Sequence, residues 1–156
     1  MELTEKEMSL LKEAYRTMSD TWEQYHPEAE ADLYDFERLF ESIPIDYRYL
    51  LKEFGGCHFV DPWIFAINEL KNKYPDFIAG YSENGGGISA ENVFPVGGLG
   101  DGSIVCIIKE TGKIAILPHD VFVETIDDLE IIANSFKELI LDLAEQGIEI
   151  YKQTNS

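Results

Sequence analysis

Three histidines and two cysteines are the residues of this chain whose side chains could ligate a metal or act as a nucleophile. Cys57 and His58 are neighbours, and His119 precedes Asp120 in a distant part of the sequence. A zinc site needs three or four ligands that converge, but adjacent residues of a strand point to opposite faces. A Cys57–His119 pair would also need a third group to orient the histidine. We therefore predict neither a metal site nor a nucleophilic catalytic centre.

A glycine-rich stretch, residues 97–102, raises the question of a phosphate-binding loop. Such a loop follows a strand and opens a helix whose N-terminus faces the phosphate. Here strand-forming residues follow the glycines, and Asp101 puts a negative charge where the phosphate would lie. We therefore predict a turn in which glycines supply positive φ angles, and we expect no cofactor.

Carboxylates dominate the charge of the chain. Thirty acidic and twelve basic residues give its 156 residues a formal net charge of −18 at pH 7. Nucleic acids and anionic membranes both attract basic proteins, so this balance disfavours either as a partner. It favours a protein with a basic surface, whose capture it would accelerate at low salt. Most carboxylates fall on predicted wet helix faces or in loops, where a catalytic acid–base pair is not expected.

Five residues near predicted loops are candidates for contact with a protein partner. An exposed tryptophan among them would bind the partner through its ring, although aromatic residues next to strands more often belong to a core. The carboxylates among them lie near a flexible loop or at the ends of a predicted hairpin. The candidates are Trp63, Glu83, Asp101, Asp120 and Glu124.

The elements that must position these residues centre on a predicted β-hairpin. Residues 103–108 and 114–117 are rich in Ile and Val, and a short Gly-containing turn joins them. This pattern is typical of paired strands in a sheet with at least one buried face. Apolar residues at helical spacing predict three earlier helices, over about residues 5–24, from Pro27, and over about residues 44–54.

Two stretches are harder to assign. Residues 63–74 fit either strand or helix; we predict a short strand, then a helical turn that Pro75 ends, then another strand over residues 77–81. A last helix is predicted to begin at Thr125, to carry an apolar stripe, and to end at Gly147. One α+β domain, with helices, then an antiparallel sheet, then a helix, accounts for residues 1–156.

Several stretches follow one another in a recognisable order and spacing: residues 43–51 (IPIDYRYLL) with 54–56 (FGG), 94–102 (FPVGGLGDG), 114–120 (IAILPHD) and 132–140 (IANSFKELI). Together they resemble the SUKH superfamily, which includes a yeast cell-wall synthesis regulator and many bacterial immunity proteins. The resemblance covers about residues 43–143, and the N-terminal helices are less diagnostic.

The resemblance implies a twisted, mostly antiparallel sheet packed against helices, and a role in binding rather than catalysis. Bacterial members look like antidotes that bind and block polymorphic toxins encoded beside them, and many such toxins are nucleases. The charged segment MELTEKEM lacks a signal peptide's apolar region. We therefore expect a cytoplasmic, non-enzymatic immunity protein whose toxin has a basic surface. The alternatives are a scaffold or regulatory module, as the eukaryotic member suggests, and a small enzyme that uses the acidic loops.

Overall fold

A computed structural model describes residues 1–18, 25–83, 88–119 and 123–155 of the chain. Helices cover the N-terminal part, strands the middle, and a long helix the C-terminal part. In chain order the described elements are α1 (Glu5–Met18), α2 (Glu30–Leu39), α3 (Ile45–Glu53), β1 (Trp63–Ile64), α4 (Ile67–Glu83), β2 (Val93–Gly98), β3 (Ile104–Ile108), β4 (Ile114–Leu117), a 3₁₀ helix (Ile126–Asp128), β5 (Glu130–Ala133) and α5 (Phe136–Thr154).

Among the described residues, five strands form one antiparallel sheet in the order β1-β2-β3-β4-β5. The predicted hairpin is confirmed, because β3 pairs with β4 along the whole of β4. Neighbouring residues of a strand point to opposite faces. Val105 and Ile107 accordingly pack into the main core, while Cys106 and Ile108 pack into a smaller cluster on the other face. The predicted α+β fold, with helices packed against an antiparallel sheet, is confirmed.

Phe94 of β2 lies among aromatic rings from three helices. Its ring centroid is 5.8 Å from that of Tyr74 in α4 and 6.2 Å from those of Phe36 in α2 and Tyr47 in α3. All four side chains are fully buried, and burial of each contributes roughly 1.5–3 kcal/mol. The Tyr47 hydroxyl donates a hydrogen bond to the Phe65 carbonyl oxygen at 2.6 Å, so its one polar atom is satisfied.

Helix α1 begins at the predicted capping box. The Glu7 N–H donates to Thr4 Oγ1 at 3.1 Å, and the Thr4 N–H donates to Glu7 Oε1 at 2.9 Å. Leu11, on the predicted apolar stripe, is buried, and residues 19–24 of the predicted helix lie outside the described residues. Helix α2 begins at Glu30 rather than at Pro27, because the residue before Glu30 is extended. Helix α3 agrees with the prediction to within one residue at each end.

Residues 63–74, whose sequence fits either a strand or a helix, contain a strand and the first part of a helix. β1 occupies two residues of it, and α4 begins at Ile67 and continues to Glu83. The predicted end of the helical turn at Pro75 is therefore wrong, because Pro75 lies inside α4. The predicted strand over residues 77–81 is wrong for the same reason.

Burial of one face keeps α4 helical through its proline. Leu70, Tyr74 and Phe77 follow one another at helical spacing, and all are buried. Pro75 is exposed. A proline inside a helix removes one hydrogen bond and costs about 3 kcal/mol. Burial of large apolar side chains contributes roughly 1.5–3 kcal/mol each and outweighs that cost.

The C-terminal elements also differ from the prediction. Ser135 caps the last helix, since its Oγ accepts a hydrogen bond from the Glu138 N–H at 3.1 Å. Thr125 instead precedes the 3₁₀ helix, and β5 follows and pairs with β4. The predicted end at Gly147 is wrong, because α5 continues beyond it. Gly147 permits close packing there: a Cβ at this position would lie 2.7 Å from Phe59 Cβ.

Candidate partner-binding surface

The strand register brings distant parts of the chain to one end of the sheet. Trp63 of β1 lies opposite Gly98, the last residue of β2, and Gly98 lies opposite Ile104, the first residue of β3. Ile104 in turn lies opposite Leu117, the last residue of β4. The β2–β3 turn, residues 99–103, and the connection from β4 to β5 therefore leave the sheet at the same end.

The β2–β3 turn is closed by its own main chain. The Leu99 N–H donates to the Ser103 carbonyl oxygen at 3.0 Å, and the Gly102 N–H donates to the Leu99 carbonyl oxygen at 3.0 Å. Gly102 has a φ of +91°, as predicted for a turn glycine. Asp101 Oδ1 accepts a hydrogen bond from the Ser103 N–H at 2.8 Å. That bond lowers the pKa of the exposed Asp101 carboxyl, because it favours the charged form.

Trp63 is half-buried at this end and lies against the glycines of β2. A Cβ on Gly98 would lie 2.8 Å from Trp63 Cζ2, and a Cβ on Gly97 would lie 2.2 Å from the Trp63 carbonyl oxygen. The two glycines therefore make room for Trp63. The His58 ring is 5.7 Å from the Trp63 ring, and His58 Nε2 is 2.9 Å from Asp61 Oδ1. Trp63 thus lies beside an exposed carboxylate.

Asp101, Ser103 and His119 meet at this end and are the residue types of a hydrolase triad. Their contacts are those of a structural cluster. The His119 main-chain N–H donates to Ser103 Oγ at 3.2 Å, and a Cβ on Gly102 would lie 3.2 Å from the His119 ring. Ser103 is buried, whereas a nucleophile must be reachable by its substrate. The cluster joins the start of β3 to the end of β4.

The β4–β5 connection adds exposed carboxylates to the same end. Glu124, Asp127, Asp128 and Glu130 are all exposed. Asp128 Oδ2 accepts hydrogen bonds from the Thr125 N–H at 3.3 Å and from Thr125 Oγ1 at 3.0 Å. We call the set Asp101, Glu124, Asp127, Asp128 and Glu130 the acidic sheet end. In the described part of the chain, no Lys or Arg forms a salt bridge with these carboxylates.

The structure brings some of the predicted contact residues together and separates others. Trp63, Asp101 and Glu124 lie on elements that meet at the acidic sheet end. Glu83 lies on a different element, as the last residue of α4. Asp120 lies outside the described residues. The part that each plays in partner binding stays a prediction.

Sequence reasoning did not single out Asp127, Asp128 and Glu130 as members of this surface. A signal for them was present, because the sequence has no Lys or Arg between Lys113 and Lys137. We overlooked that signal because we predicted a last helix that begins at Thr125. It placed these carboxylates on an ordinary wet helix face, whereas they lie in a connection and at the start of β5.

The cysteines are free and buried. Burial raises the pKa of both Cys57 and Cys106 to about 12, so each thiol is protonated at neutral pH and is a poor nucleophile. Among the described residues, no group of three or more His, Cys, Asp or Glu side chains is placed to hold a metal ion. In the same part of the chain, no helix has the length and apolar character needed to cross a membrane.

The chain is similar to a known protein family and to a bacterial relative. A family model described as the SMI1 / KNR4 family (SUKH-1) matches residues 27–142, which include the five described strands and the acidic sheet end. The SPbeta prophage-derived uncharacterized protein YokK of Bacillus subtilis (strain 168) is 24% identical over 143 residues. That alignment covers 72% of this chain and 72% of the relative.

Proposed function

The chain belongs to the SMI1 / KNR4 family (SUKH-1), and on that premise we propose that it is an immunity protein that binds and blocks a cognate protein toxin. Family membership over residues 27–142 carries the proposal, because the superfamily includes antidotes encoded beside polymorphic toxins. The prophage-derived relative supports a bacterial setting. In this proposal the protein acts in the cytoplasm, where it meets the toxin before the toxin reaches its target.

The acidic sheet end is the proposed binding face. Its carboxylates form no salt bridge with Lys or Arg in the described part of the chain, so their field extends into solvent. Such a field attracts a basic partner and accelerates encounter. Trp63 provides an aromatic side chain at the same end of the sheet, on the strand next to β2, and tryptophan is among the residue types that contribute most at interface centres. Glu83 and Asp120 are further proposed contacts.

The proposed action is stoichiometric binding without catalysis. Buried thiols and the buried Ser103 hydroxyl support this, because neither presents a nucleophile to a substrate. A nuclease is a class of toxin that fits the surface, since a groove that binds nucleic acid is basic. An acidic protein bound over such a groove would exclude the substrate by charge as well as by shape.

Calorimetric titration against the toxin domain encoded next to the gene tests the proposal. We expect one-to-one binding with an affinity that falls as salt rises, because the Debye length is roughly 10 Å at 0.1 M salt and shorter above it. The complex should also abolish the toxin's activity. Absence of binding at both low and high salt contradicts the proposal. A pull-down that then returns housekeeping proteins would favour the scaffold or regulatory module.

Matched variants test the binding face separately from the binding itself. Trp63→Ala should raise the Kd roughly 30-fold, the equivalent of about 2 kcal/mol. Asp101→Asn should mainly slow association. Glu145→Gln, an exposed change on α5, is the control and should bind like the wild type. Tight binding by all three variants would show that the toxin is recognised elsewhere; thermal unfolding checks that each variant is folded.

A further inference from the structure

The two edge strands of the sheet differ in whether another segment of the described chain forms main-chain hydrogen bonds with their outer sides. At the β1 edge, the Cys57 N–H donates to the Ile64 carbonyl oxygen at 3.1 Å, and the Ile64 N–H donates to the Cys57 carbonyl oxygen at 2.7 Å. That edge is therefore covered by a preceding segment of the chain. At the other edge, β5 pairs with β4, and no other described segment forms main-chain hydrogen bonds with β5.

The first two residues of β5 are exposed to solvent. The side chain of Ile131 is 43% exposed, and Glu130 is exposed as well. The register shift within the β4–β5 pair leaves Ile132 as an extra residue, which is a β-bulge. An exposed edge strand presents N–H and C=O groups to which another extended segment can bond. The shortness of β5 and its bulge limit such bonding to a short segment.

The charges around β5 determine which segment can bind there. Glu130 begins β5, Glu124 and Asp127 lie in the connection that leads into it, and all three are exposed. The sequence has no Lys or Arg between Lys113 and Lys137. A second copy of the chain would bring the same carboxylates against one another, and like charges opposite each other destabilise strand pairing. Lys or Arg side chains on an added strand would instead face opposite charges.

We propose that the outer edge of β5 binds an extended strand of the protein partner that carries Lys or Arg, so that the strand joins the sheet beside β5. The inference rests on the proposed function, because it names the part of the toxin that the immunity protein recognises. Main-chain hydrogen bonds provide affinity in this mode, and side chains provide specificity. Glu130 and Asp127 select basic residues, and Ile131 provides an apolar contact.

Amide hydrogen exchange, measured on the free protein and on its complex with the toxin domain encoded beside the gene, tests the pairing directly. Amides of β5 that point away from β4 should exchange rapidly in the free protein and at least about tenfold more slowly in the complex. Unchanged exchange over residues 130–133 in a tight complex overturns the inference. Protection of those amides in the free protein, together with a dimer in sedimentation, also overturns it, because a second copy would then occupy the edge.

Two charge reversals test the proposed selection of a basic strand. Glu130→Lys and Glu149→Lys make the same change in net charge, one on β5 and one on an exposed position of α5. We expect the Kd to rise at least about tenfold for Glu130→Lys and to change little for Glu149→Lys. Thermal unfolding shows whether each variant is folded. An equal loss of affinity in both variants would mean that only net charge matters, which overturns the inference.

The outcomes separate this inference from the proposed function. Absence of any complex with the wild-type protein overturns the proposed function and the inference with it. A tight wild-type complex in which β5 exchange is unchanged and Glu130→Lys has no effect overturns the inference alone. The immunity role would then stand, with the toxin bound by another face of the molecule.

Discussion

The helix layer, which we define as α1, α2, α3 and α5, and the acidic sheet end both carry many carboxylates but hold them differently. In the helix layer, Arg48 lies between two carboxylates, 3.0 Å from Glu37 Oε1 and 2.5 Å from Glu30 Oε1. At the acidic sheet end, Asp101 is bonded to a main-chain N–H. No Lys or Arg of the described residues bridges that end.

The difference separates carboxylates that stabilise the fold from carboxylates that are available to a partner. Glu37 binds both Arg48 and the Ile43 N–H, the latter at 3.0 Å, so it joins α2 to the start of α3. Lys109 Nζ, at the β3–β4 turn, is 2.5 Å from Glu41 Oε1 and so joins the sheet to the residues after α2. With twelve basic and thirty acidic residues, such pairing leaves much of the negative charge uncompensated.

The largest expected difference between the two regions is the loss of stability caused by an added methyl group. Gly147→Ala on α5 puts a methyl group 2.7 Å from Phe59 Cβ, while Gly100→Ala in the β2–β3 turn meets no atom within 4 Å. Overpacking costs typically 1–3 kcal/mol, so Gly147→Ala should lower the free energy of unfolding by about 2 kcal/mol. Gly100→Ala should change it by less than about 0.5 kcal/mol. Urea unfolding measures both, and equal effects would remove the contrast in packing.

The same chemical change should have different effects on stability in the two regions. Glu37→Gln removes the negative charge from a half-buried pair with Arg48 and should lower the free energy of unfolding by about 1 kcal/mol. Glu130→Gln removes a charge that forms no salt bridge with any described residue, in a strongly acidic protein, so stability should stay within about 0.5 kcal/mol or rise slightly. Urea unfolding at low salt is the measurement. A loss of stability in Glu130→Gln as large as that in Glu37→Gln would contradict the contrast.

The smallest expected effect is on the pKa of a single carboxyl group. The pKa of Glu30 is lowered because Arg48 hydrogen-bonds its carboxylate, and the pKa of Asp101 is lowered because the Ser103 N–H does so. Arg48→Met should therefore raise the pKa of Glu30 toward its ordinary value and leave that of Asp101 unchanged. NMR titration of the side-chain carboxyl carbons measures both. A shift of Asp101 in this variant would show that the two regions are electrostatically coupled.

The sign of the accompanying pH dependence follows from the lowered pKa of Glu30. A carboxyl whose pKa is lowered by folding stabilises the folded state above its ordinary pKa, and this contribution is lost as pH falls through the lowered value. Arg48→Met lacks that contribution. The variant should therefore lose less stability than the wild type between about pH 5 and about pH 2.

Local patterns predicted the elements whose signals lie within a few residues. The Thr4–Glu7 capping box, helix α3 and the β3–β4 hairpin were all found where expected. Helix α4 was missed because a proline signals a helix end locally, whereas burial of Tyr74 and Phe77 on either side of it favours a continuous helix. β5 was missed because Ile132 and Ala133 fit the apolar stripe of a helix as well as a strand, and pairing with β4 decides between them.

The candidate surface was predictable in its composition but not in its arrangement. Trp63, Asp101 and Glu124 were chosen one by one from predicted exposure. Their shared location depends on the register of β1, β2, β3 and β4, which joins residues far apart in the sequence. Asp127 and Glu130 were not predicted to belong to this surface, because the predicted last helix began too early and placed them on its solvent-exposed face.

The sequence by itself determined the family, the α+β class and the strongly acidic charge of this protein. Family motifs, apolar periodicity and net charge are properties of residue order and composition, so they can be read before the chain folds. The tertiary structure alone decided which carboxylates pair with Lys or Arg, which end of the sheet is acidic and which edge strand stays open. Those properties depend on distances between residues of different elements, and packing and strand pairing determine such distances.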